Sequence, residues 1–333
     1  MDQRRDRATG ALLGLALGDA MGMPSQTLSA GEIRQRYGRI EDFVAPFPGH
    51  PASHGLGPAM VTDDTEQAFL LARRLIAEPG RFDAGAWAAD LLAWEADVRA
   101  RGLLDLLGPS SKAALAAIAQ GVDPAEAGRA GVTNGAAMRI APVGIATPPD
   151  DLARLVDRVE AACRATHNTG EAIAAAAAVA AAVSAGVEGV DFETALPFAL
   201  AAAVEGQRRG FAAGAPDMAA RIEAALTLAM GPAAPEAFAA QVGTSVASHE
   251  SVPAAFGIVR LAGGDVWRAA VLAANVGDDT DTIGAIAGAM AGACAGAAAL
   301  PGDKLATLRA ANDLPVEALA DGLLALRRDD AKR

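Results

Sequence analysis

Two acidic stretches, separated by more than two hundred residues, repeat one pattern at the start of an apolar run. The first reads VTDDTEQAF at residues 61–69, and the second reads GDDTDTIGA at residues 277–285. Aspartate and threonine are preferred at helix starts because their side-chain oxygens accept hydrogen bonds from the first free N–H groups, and negative charge there suits the helix dipole. Capping alone could explain either stretch, but a cap needs only one such side chain and each stretch holds four or five.

The donor types in these stretches indicate which metals they could bind. Carboxylates and hydroxyls are hard oxygen donors that suit Mg²⁺, Mn²⁺ or Ca²⁺, and no Cys or His lies beside either stretch to favour zinc or copper. Neither stretch continues through the glycine and terminal glutamate of an EF-hand calcium loop. Several carboxylates around one divalent ion would leave excess negative charge, so the pattern favours a pair of ions about 3.5–4 Å apart.

Other function classes find no support in the sequence. The chain has neither a G-x-S-x-G nucleophile turn nor a G-x-x-x-x-G-K-[ST] phosphate loop. A formal net charge of −12 argues against nucleic-acid binding, which normally needs a basic surface. Only two cysteines occur, each in an alanine-rich stretch, so neither a disulfide framework nor a thiolate zinc site is indicated, and we expect a cytoplasmic location.

Three further polar motifs stand out against the apolar background: GPSSKAAL and RATHNTGEA at the starts of predicted helices, and TNGAAMR in a tight turn among apolar neighbours. Their members of interest are Ser110, Ser111, Asn134, Gly135 and His167. Helix N-termini attract anionic ligands, but serine, threonine and asparagine at these positions also serve as ordinary caps. The two serines and Asn134 could therefore either contact a ligand or cap locally. Next to His167, capping explains Asn168 and Thr169 but gives the histidine no role.

Helical periodicity dominates the chain, and an aromatic share of only 4% favours closely packed helices over sheets. We predict an all-α fold that forms a single domain over residues 1–333. The predicted helices cover residues 5–20, 29–37, 65–77, 83–100, 110–120, 151–165, 170–185, 192–209, 216–230, 235–247, 251–262, 265–274, 282–299 and 315–328. Residues 39–61 carry four prolines and three glycines, which exclude regular structure and predict a long functional loop.

Two apolar stretches share features with membrane or export segments. Residues 282–300 carry no charge and reach spanning length, yet alanine and glycine insert weakly into lipid, so we predict a buried core helix and no membrane association. Residues 1–22 begin basic and then turn apolar, but Asp19 interrupts the run and no convincing cleavage site follows. We therefore do not expect a signal peptide.

Glycine recurs every fourth residue in two of the predicted helices. The positions are Gly10, Gly14, Gly18 and Gly22 in one helix and Gly284, Gly288, Gly292 and Gly296 in the other. Each glycine inside a helix costs on the order of 1 kcal/mol relative to alanine, so an offsetting contact is expected. We predict that the two ridges pack in backbone contact, crossing at about −50° with axes closer than the usual separation of about 8–10 Å. The alternative is that the spacing only reflects an Ala/Gly-rich composition.

The motifs, in their order along the chain, resemble those of the ADP-ribosylglycohydrolase family, of the dinitrogen-reductase-activating-glycohydrolase type. The stretches that carry the resemblance are GLALGDAMGMPSQ, VTDDTEQAF, GPSSKAAL, TNGAAMR, the TH at 166–167 and GDDTDTIGAIAGAMAGA. The resemblance extends over nearly the whole chain, and the paired T-D-D and D-T-D-T motifs are specific in combination. The resemblance implies a compact multi-helix orthogonal bundle with a binuclear Mg²⁺ centre, which Mn²⁺ could also occupy. At that centre a glycosidic bond to the anomeric carbon of ADP-ribose would be hydrolysed.

Carried over position by position, the resemblance implies three groups of site residues. The metal ligands would be Thr62, Asp63, Asp64, Asp279, Asp281 and Thr282. The ligand cleft would include Ser110, Ser111, Asn134, Gly135 and His167. The catalytic group would comprise Asp64, Asp281 and Gln26, the last at a position where many family members carry a glutamate. Because a neutral amide cannot take a proton, either a ligating aspartate or metal-bound hydroxide would do the work of a base, or activity would be reduced.

The leading hypothesis is a Mg²⁺-dependent hydrolase that acts on an ADP-ribosyl or related ribosyl conjugate. One alternative is a nucleoside-type N-ribohydrolase that cleaves a free metabolite. The other is a non-catalytic binder of ribosyl ligands, which the glutamine at position 26 motivates. ADP-ribosylated peptides and a panel of nucleosides would distinguish the three.

Overall fold

Helices make up the regular structure of the protein. The computed structural model describes residues 2–103, 107–214, 216–231 and 235–330. No β-strand occurs within these ranges, where two isolated backbone bridges join Thr133 to Ala247 and Thr169 to Phe211. The prediction of an all-α fold is confirmed. An alanine-rich chain suits this class because alanine has the highest helix propensity and lets helices pack closely.

Within the described ranges there are eighteen α-helices, numbered in chain order. They are α1 Gln3–Gly22, α2 Ala30–Tyr37, α3 Asp63–Ala77, α4 Ala84–Ala100, α5 Pro109–Ala119, α6 Pro124–Ala127, α7 Gly135–Met138, α8 Ala141–Ala146, α9 Leu152–Cys163, α10 Gly170–Val187, α11 Phe192–Gly206, α12 Met218–Ala229, α13 Pro235–Val242, α14 Ser248–Leu261, α15 Val266–Ala273, α16 Thr280–Ala295, α17 Gly302–Ala311 and α18 Val316–Asp330.

All fourteen predicted helices are present, but sequence periodicity missed α6, α7, α8 and α17. The first three are four to six residues long, too short to display a helical period. Two predicted helices ran too far. The helix expected over 235–247 ends at Val242, and the helix expected over 282–299 ends at Ala295. The next residues, Gly243 and Gly296, take φ angles of 91° and 88°, which end a right-handed helix.

Helices α1 and α16 pack backbone against backbone through their glycines. Gly10, Gly14 and Gly18 face Gly292, Gly288 and Gly284, and Gly22 faces the backbone of Thr280. At each of these α1 positions an added Cβ would lie closer than 3.0 Å to a carbonyl oxygen of the opposite chain segment. The predicted backbone contact between the ridges is confirmed. Composition alone does not explain a spacing that is used at every turn.

The predicted crossing angle of about −50° is wrong. Four contacts follow one another from Gly10 to Gly22 on α1, over about 18 Å of helix at 1.5 Å per residue. Helices that cross at about 50° diverge on either side of one contact point, so they could not maintain this series. The two axes must therefore run nearly antiparallel. Gly296 falls outside the series because α16 ends one residue earlier.

The longest apolar helices form the interior. Every residue of α10, Gly170–Val187, is buried, and so is every residue of α16 from Thr280 to Cys294. In the described part of the chain, α10 is long and apolar enough to cross a membrane, but it lies entirely inside the protein. The apolar run at the N-terminus is likewise internal, since α1 is buried from Ala8 to Gly22.

We predict that Gly14→Ala and Gly288→Ala each lower the free energy of unfolding by about 1–3 kcal/mol or more, the usual result of forcing extra volume into a packed interior. Gly31→Ala in α2 is the matched control. A Cβ there would meet nothing nearer than the Ser29 hydroxyl oxygen at 3.9 Å, so it should be neutral or stabilising by up to about 1 kcal/mol. Urea denaturation measures all three. Wild-type stability of Gly14→Ala would mean that the close contact contributes nothing.

Candidate active site

The first N–H groups of helix α3 donate to a carboxylate of α1. Asp19 is fully buried and accepts hydrogen bonds from the backbone N–H groups of Thr62, at 2.9 Å, and Thr65, at 3.2 Å. It also accepts from the hydroxyl groups of both threonines. The residue that starts the helix, Thr62, makes no side-chain cap. Local capping by the first acidic stretch is therefore wrong, since the cap comes from a distant helix.

Sequence reasoning assigned Asp19 no role in the site, although a signal was present. It is the one charged residue in the long apolar part of α1, and it lies one turn from the close contact of Gly22 with Thr280. A buried carboxylate is tolerated only where donors surround it. The four donors from the start of α3 meet that need.

The turn before α16 is held by the residues that follow α1. Asp278 has a left-handed φ of 59°, and its backbone N–H and C=O pair with Leu28 O at 2.8 Å and Thr27 N at 2.7 Å. The Thr280 hydroxyl donates to Gly22 O at 2.8 Å. The N-cap residue, Asp279, makes no side-chain cap, and one first-turn N–H, that of Thr282, donates to Asp281, so local capping accounts for one side chain of the second stretch. Both acidic stretches are thus positioned by the C-terminal end of α1.

The structure brings the two stretches together at one place. The hydroxyl oxygens of Thr62 and Thr282 lie 3.3 and 3.5 Å from the same oxygen, Asp64 Oδ2. Asp64 is 1% exposed and Asp63 9% exposed, so the cluster is nearly closed to solvent. The predicted ligand set, Thr62, Asp63, Asp64, Asp279, Asp281 and Thr282, therefore comes from helix starts that are distant in sequence and adjacent in space.

Burial and mutual repulsion make these carboxylates bind protons tightly. Burial, followed by neighbouring carboxylates, raises the pKa values of Asp63, Asp64 and Asp281 well above the ordinary 3.8. Burial raises the pKa values of Asp19 and Asp279 to about 6, against the opposing effect of the hydrogen bonds they accept. A cluster of this kind needs positive charge if it is to ionise fully at neutral pH.

The donor set fits a hard divalent cation. Asp64 Oδ1 is buried and has no hydrogen-bond partner, which is unusual for a carboxylate oxygen unless something else binds it. Within the described ranges, however, no three His, Cys, Asp or Glu side chains have the arrangement of a ready-made metal site. Three of the carboxylates accept hydrogen bonds nearby: Asp63 from Gln67, Asp279 from Asn134 and Asp281 from the backbone of Thr282.

A buried arginine lies behind the cluster, and sequence reasoning missed its role. Arg139 is the last residue of the TNGAAMR motif and is 1% exposed. It donates to the Gln67 side-chain oxygen, and the Gln67 amide donates to Asp63 Oδ2 at 3.3 Å. Burial lowers the pKa of Arg139 to about 10, so it remains charged at neutral pH. The signal was an arginine between two apolar stretches, where an unpaired charge is not tolerated.

The same arginine orients His167. Arg139 donates to Thr166 Oγ1 at 2.8 Å, so the Thr166 hydroxyl can donate in turn to His167 Nδ1 at 2.7 Å. His167 Nε2 must then carry the proton, which it donates to Thr133 Oγ1 at 3.1 Å. Burial, and then the charge of Arg139, lowers the pKa of His167 well below its ordinary range. The imidazole is therefore neutral and held in one tautomer.

The other predicted ligand residues surround this histidine. Gly135 leaves the space that His167 occupies, because a Cβ there would lie 3.0 Å from the ring and 3.7 Å from Ser111 Oγ. Ser110 Oγ accepts from Thr133 N–H at 3.4 Å. Of the two alternatives left open for the serines, local capping does not apply, since α5 is preceded by Gly108 and has no side-chain cap. The Asn134 amide donates to Asp279 and to Ser251 Oγ, and so connects the residues around His167 to the acidic cluster.

Gln26 follows α1 and contacts the long loop of residues 39–61. Its amide donates to Ser53 Oγ at 3.1 Å, and Ser53 in turn donates to Met23 O at 2.6 Å. The side chain therefore connects the end of α1 to the long loop of residues 39–61. A catalytic role for Gln26 stays a prediction.

Comparison with known proteins identifies related sequences and structures. The family model described as ADP-ribosylglycohydrolase matches residues 1–333. The chain is 36% identical to the Escherichia coli K12 protein YegU over 98% of both chains. It is 33% identical to the ADP-ribosyl-[dinitrogen reductase] glycohydrolase of Rhodospirillum rubrum, over 49% of this chain and 52% of that one.

Solved structures include a similar fold, titled ADP-ribosylglycohydrolase-related protein complex. That chain is 29% identical to this one. The two superpose with a TM-score of 0.71 over 98% of this chain and 99% of the other. With a family model that covers the whole sequence and a relative of similar length above 30% identity, the chain belongs to the ADP-ribosylglycohydrolase family.

Proposed function

We propose that the protein is a Mg²⁺-dependent hydrolase that cleaves the glycosidic bond at the anomeric carbon of ADP-ribose or a related ribosyl conjugate. The observation that carries the proposal is the meeting of two acidic helix starts around Asp64, one oxygen of which has no partner. Family membership supports the class of reaction. The name of the Rhodospirillum rubrum relative supports an ADP-ribosylated protein as substrate.

The residues that would hold the metal are Thr62, Asp63, Asp64, Asp279, Asp281 and Thr282. Bound Mg²⁺, as a pair of ions or with Mn²⁺ in its place, would supply positive charge that orients ribose hydroxyls and a water molecule. We assign proton uptake from that water to a carboxylate of Asp64 or Asp281. The other of these two carboxylates would stabilise the positive charge that develops at the anomeric carbon. The water oxygen bonds to that carbon as the bond to the leaving group breaks, and the carboxylate that took the water's proton passes it to the leaving group.

The neutral His167 would serve recognition of the ligand. Because Nε2–H donates to Thr133 Oγ1, the Thr133 hydroxyl is free to direct its own proton to a ligand oxygen. Ser110, Ser111, Asn134 and Gly135 surround this hydroxyl, and Asn134 also contacts Asp279. A ribosyl ligand in this cleft would therefore meet uncharged donors on one side and the acidic cluster on the other.

Hydrolysis assays test the proposal directly. We expect Mg²⁺-dependent release of ADP-ribose from an ADP-ribosylated arginine or serine peptide, lost on chelation and reduced at least about 100-fold in Asp64→Asn and Asp281→Asn. Asp278→Asn is the matched control, because this exposed neighbour contacts Thr244 and belongs to no predicted ligand set. Cleavage of nucleosides alone would favour the ribohydrolase alternative. Binding of ADP-ribose without turnover of any substrate would favour the non-catalytic one.

The raised pKa values predict how stability depends on pH and Mg²⁺. In the folded metal-free protein the cluster holds protons up to pH 6 and above, whereas unfolded aspartates lose them near 3.8. The folded state then binds more protons, so stability falls as pH rises from about 5 to 8. We expect Mg²⁺ to raise Tm more at pH 8 than at pH 5, and Asp64→Asn to flatten the metal-free profile. A larger Mg²⁺ effect at pH 5 would contradict this.

Gln26→Glu tests whether a missing base limits the reaction. If it does, kcat should rise, since general-base assistance is worth roughly 10²–10⁴-fold. Ser53→Ala is the control, because it releases the Gln26 amide from its hydrogen bond without supplying a base. An unchanged or lower kcat in Gln26→Glu would leave Asp64 and Asp281 as the candidates for the base.

A further inference from the structure

The long loop between α2 and α3 is held at its N-terminal end by an asparagine that follows a helix. Asn275 lies two residues after α15. Its amide donates to Val271 O at 2.7 Å, within its own helix, and to Ile40 O at 2.8 Å, in the loop. Its side-chain oxygen accepts from Ile40 N–H at 3.0 Å. One side chain thus pairs with both backbone groups of a loop residue.

A second asparagine makes the same arrangement at the C-terminal end of the loop. Asn312 lies one residue after α17. Its amide donates to Leu308 O at 2.8 Å and to Ala59 O at 2.7 Å, and its side-chain oxygen accepts from Val61 N–H at 3.0 Å. The two asparagines therefore hold opposite ends of one loop through matching sets of three hydrogen bonds.

The two ends differ in what lies next to them. Ala59 is buried and has a left-handed φ of 61°, a conformation that residues with a Cβ disfavour. Such a conformation persists only where its surroundings hold it, and Asn312 hydrogen-bonds to the carbonyl of Ala59 itself. Val61, the other partner of Asn312, directly precedes Thr62, whose N–H binds Asp19. Relaxation of this turn would shift the start of α3.

At the other end of the loop, Asn275 pairs with Ile40, which does not have a left-handed φ. The nearby turn at 277–279 is held by its own backbone hydrogen bonds, from Asp278 to Leu28, from Thr27 to Asp278 and from Asp279 to Thr244. Removal of the Asn275 side chain would free the loop near Ile40 and leave that turn in place.

We propose that Asn312 is a positioning residue of the acidic site, which holds the strained turn at Ala59 and thereby sets the start of α3, with Asp63 and Asp64. It touches neither carboxylate. The inference deepens the proposed function, because its importance for activity rests on those aspartates acting in hydrolysis. The hydrogen-bond geometry does not depend on that function.

The test compares Asn312→Ala with Asn275→Ala, which removes the same number of hydrogen bonds from the same loop. In the metal-free protein, amide exchange at Thr62 and Thr65, whose N–H groups bind Asp19, should accelerate in Asn312→Ala and stay at the wild-type rate in Asn275→Ala. Mg²⁺ affinity, measured by calorimetry with the metal alone, should fall about 10–100-fold in Asn312→Ala, the usual effect of losing a residue that orients ligands. Asn275→Ala should bind Mg²⁺ as the wild type does.

A second variant keeps the test decisive if Asn312→Ala fails to fold. Ala59→Gly in the Asn312→Ala background removes the penalty of the left-handed turn, because glycine adopts it freely. We expect this double variant to recover slow exchange at Thr62 and Thr65. Equal acceleration in the two asparagine variants, or no recovery with Gly at 59, would overturn the proposal. Absence of Mg²⁺ binding by the wild type would instead count against the proposed function, and amide exchange would still decide the role of Asn312.

Discussion

The packing of α1 against α16 without intervening side chains is the constraint on which the rest of the structure depends. Because Gly22 lies on the backbone of Thr280, the C-terminal end of α1 meets the start of α16 at van der Waals distance. Asp19, one turn earlier, can then reach the start of α3. Any side chain on this face of α1 would separate the helices, and the two acidic stretches would separate with them. The acidic site is therefore a consequence of the glycine contact.

The five aspartates of the site, four of them buried and Asp279 half-buried, do not all have the same role. Asp19 is fully supplied with donors and orders the start of α3, as a structural carboxylate should. Asp64 lies among other carboxylates with one oxygen unpartnered, an arrangement that lowers stability in the absence of a cation. A site that is destabilised until a ligand arrives is the usual trade between stability and function.

The positive charge of Arg139 lies behind the acidic cluster and not among its carboxylates. Arg139 reaches Asp63 through Gln67 and His167 through Thr166, so one buried cation serves both the acidic cluster and the uncharged cleft. Burial, and then the charge of the nearby Arg139, lowers the pKa of His167 and keeps its imidazole neutral. The Thr133 and Thr166 hydroxyls on either side of the imidazole are consequently held in fixed orientations.

The sequence by itself determined the helical class, the long irregular loop, the two acidic stretches and the glycine spacing. Each depends on contacts within about four residues or on composition, which the chain carries locally. It could not decide that Asp19 would cap α3, that Arg139 would lie behind Asp63, or that the ridges would run nearly antiparallel. Those outcomes depend on partners more than forty residues apart, which meet only when the helices pack. Local preference allowed Asp63 and Asp64 to cap their own helix, but the tertiary structure supplied a better-placed carboxylate and left them available for a ligand.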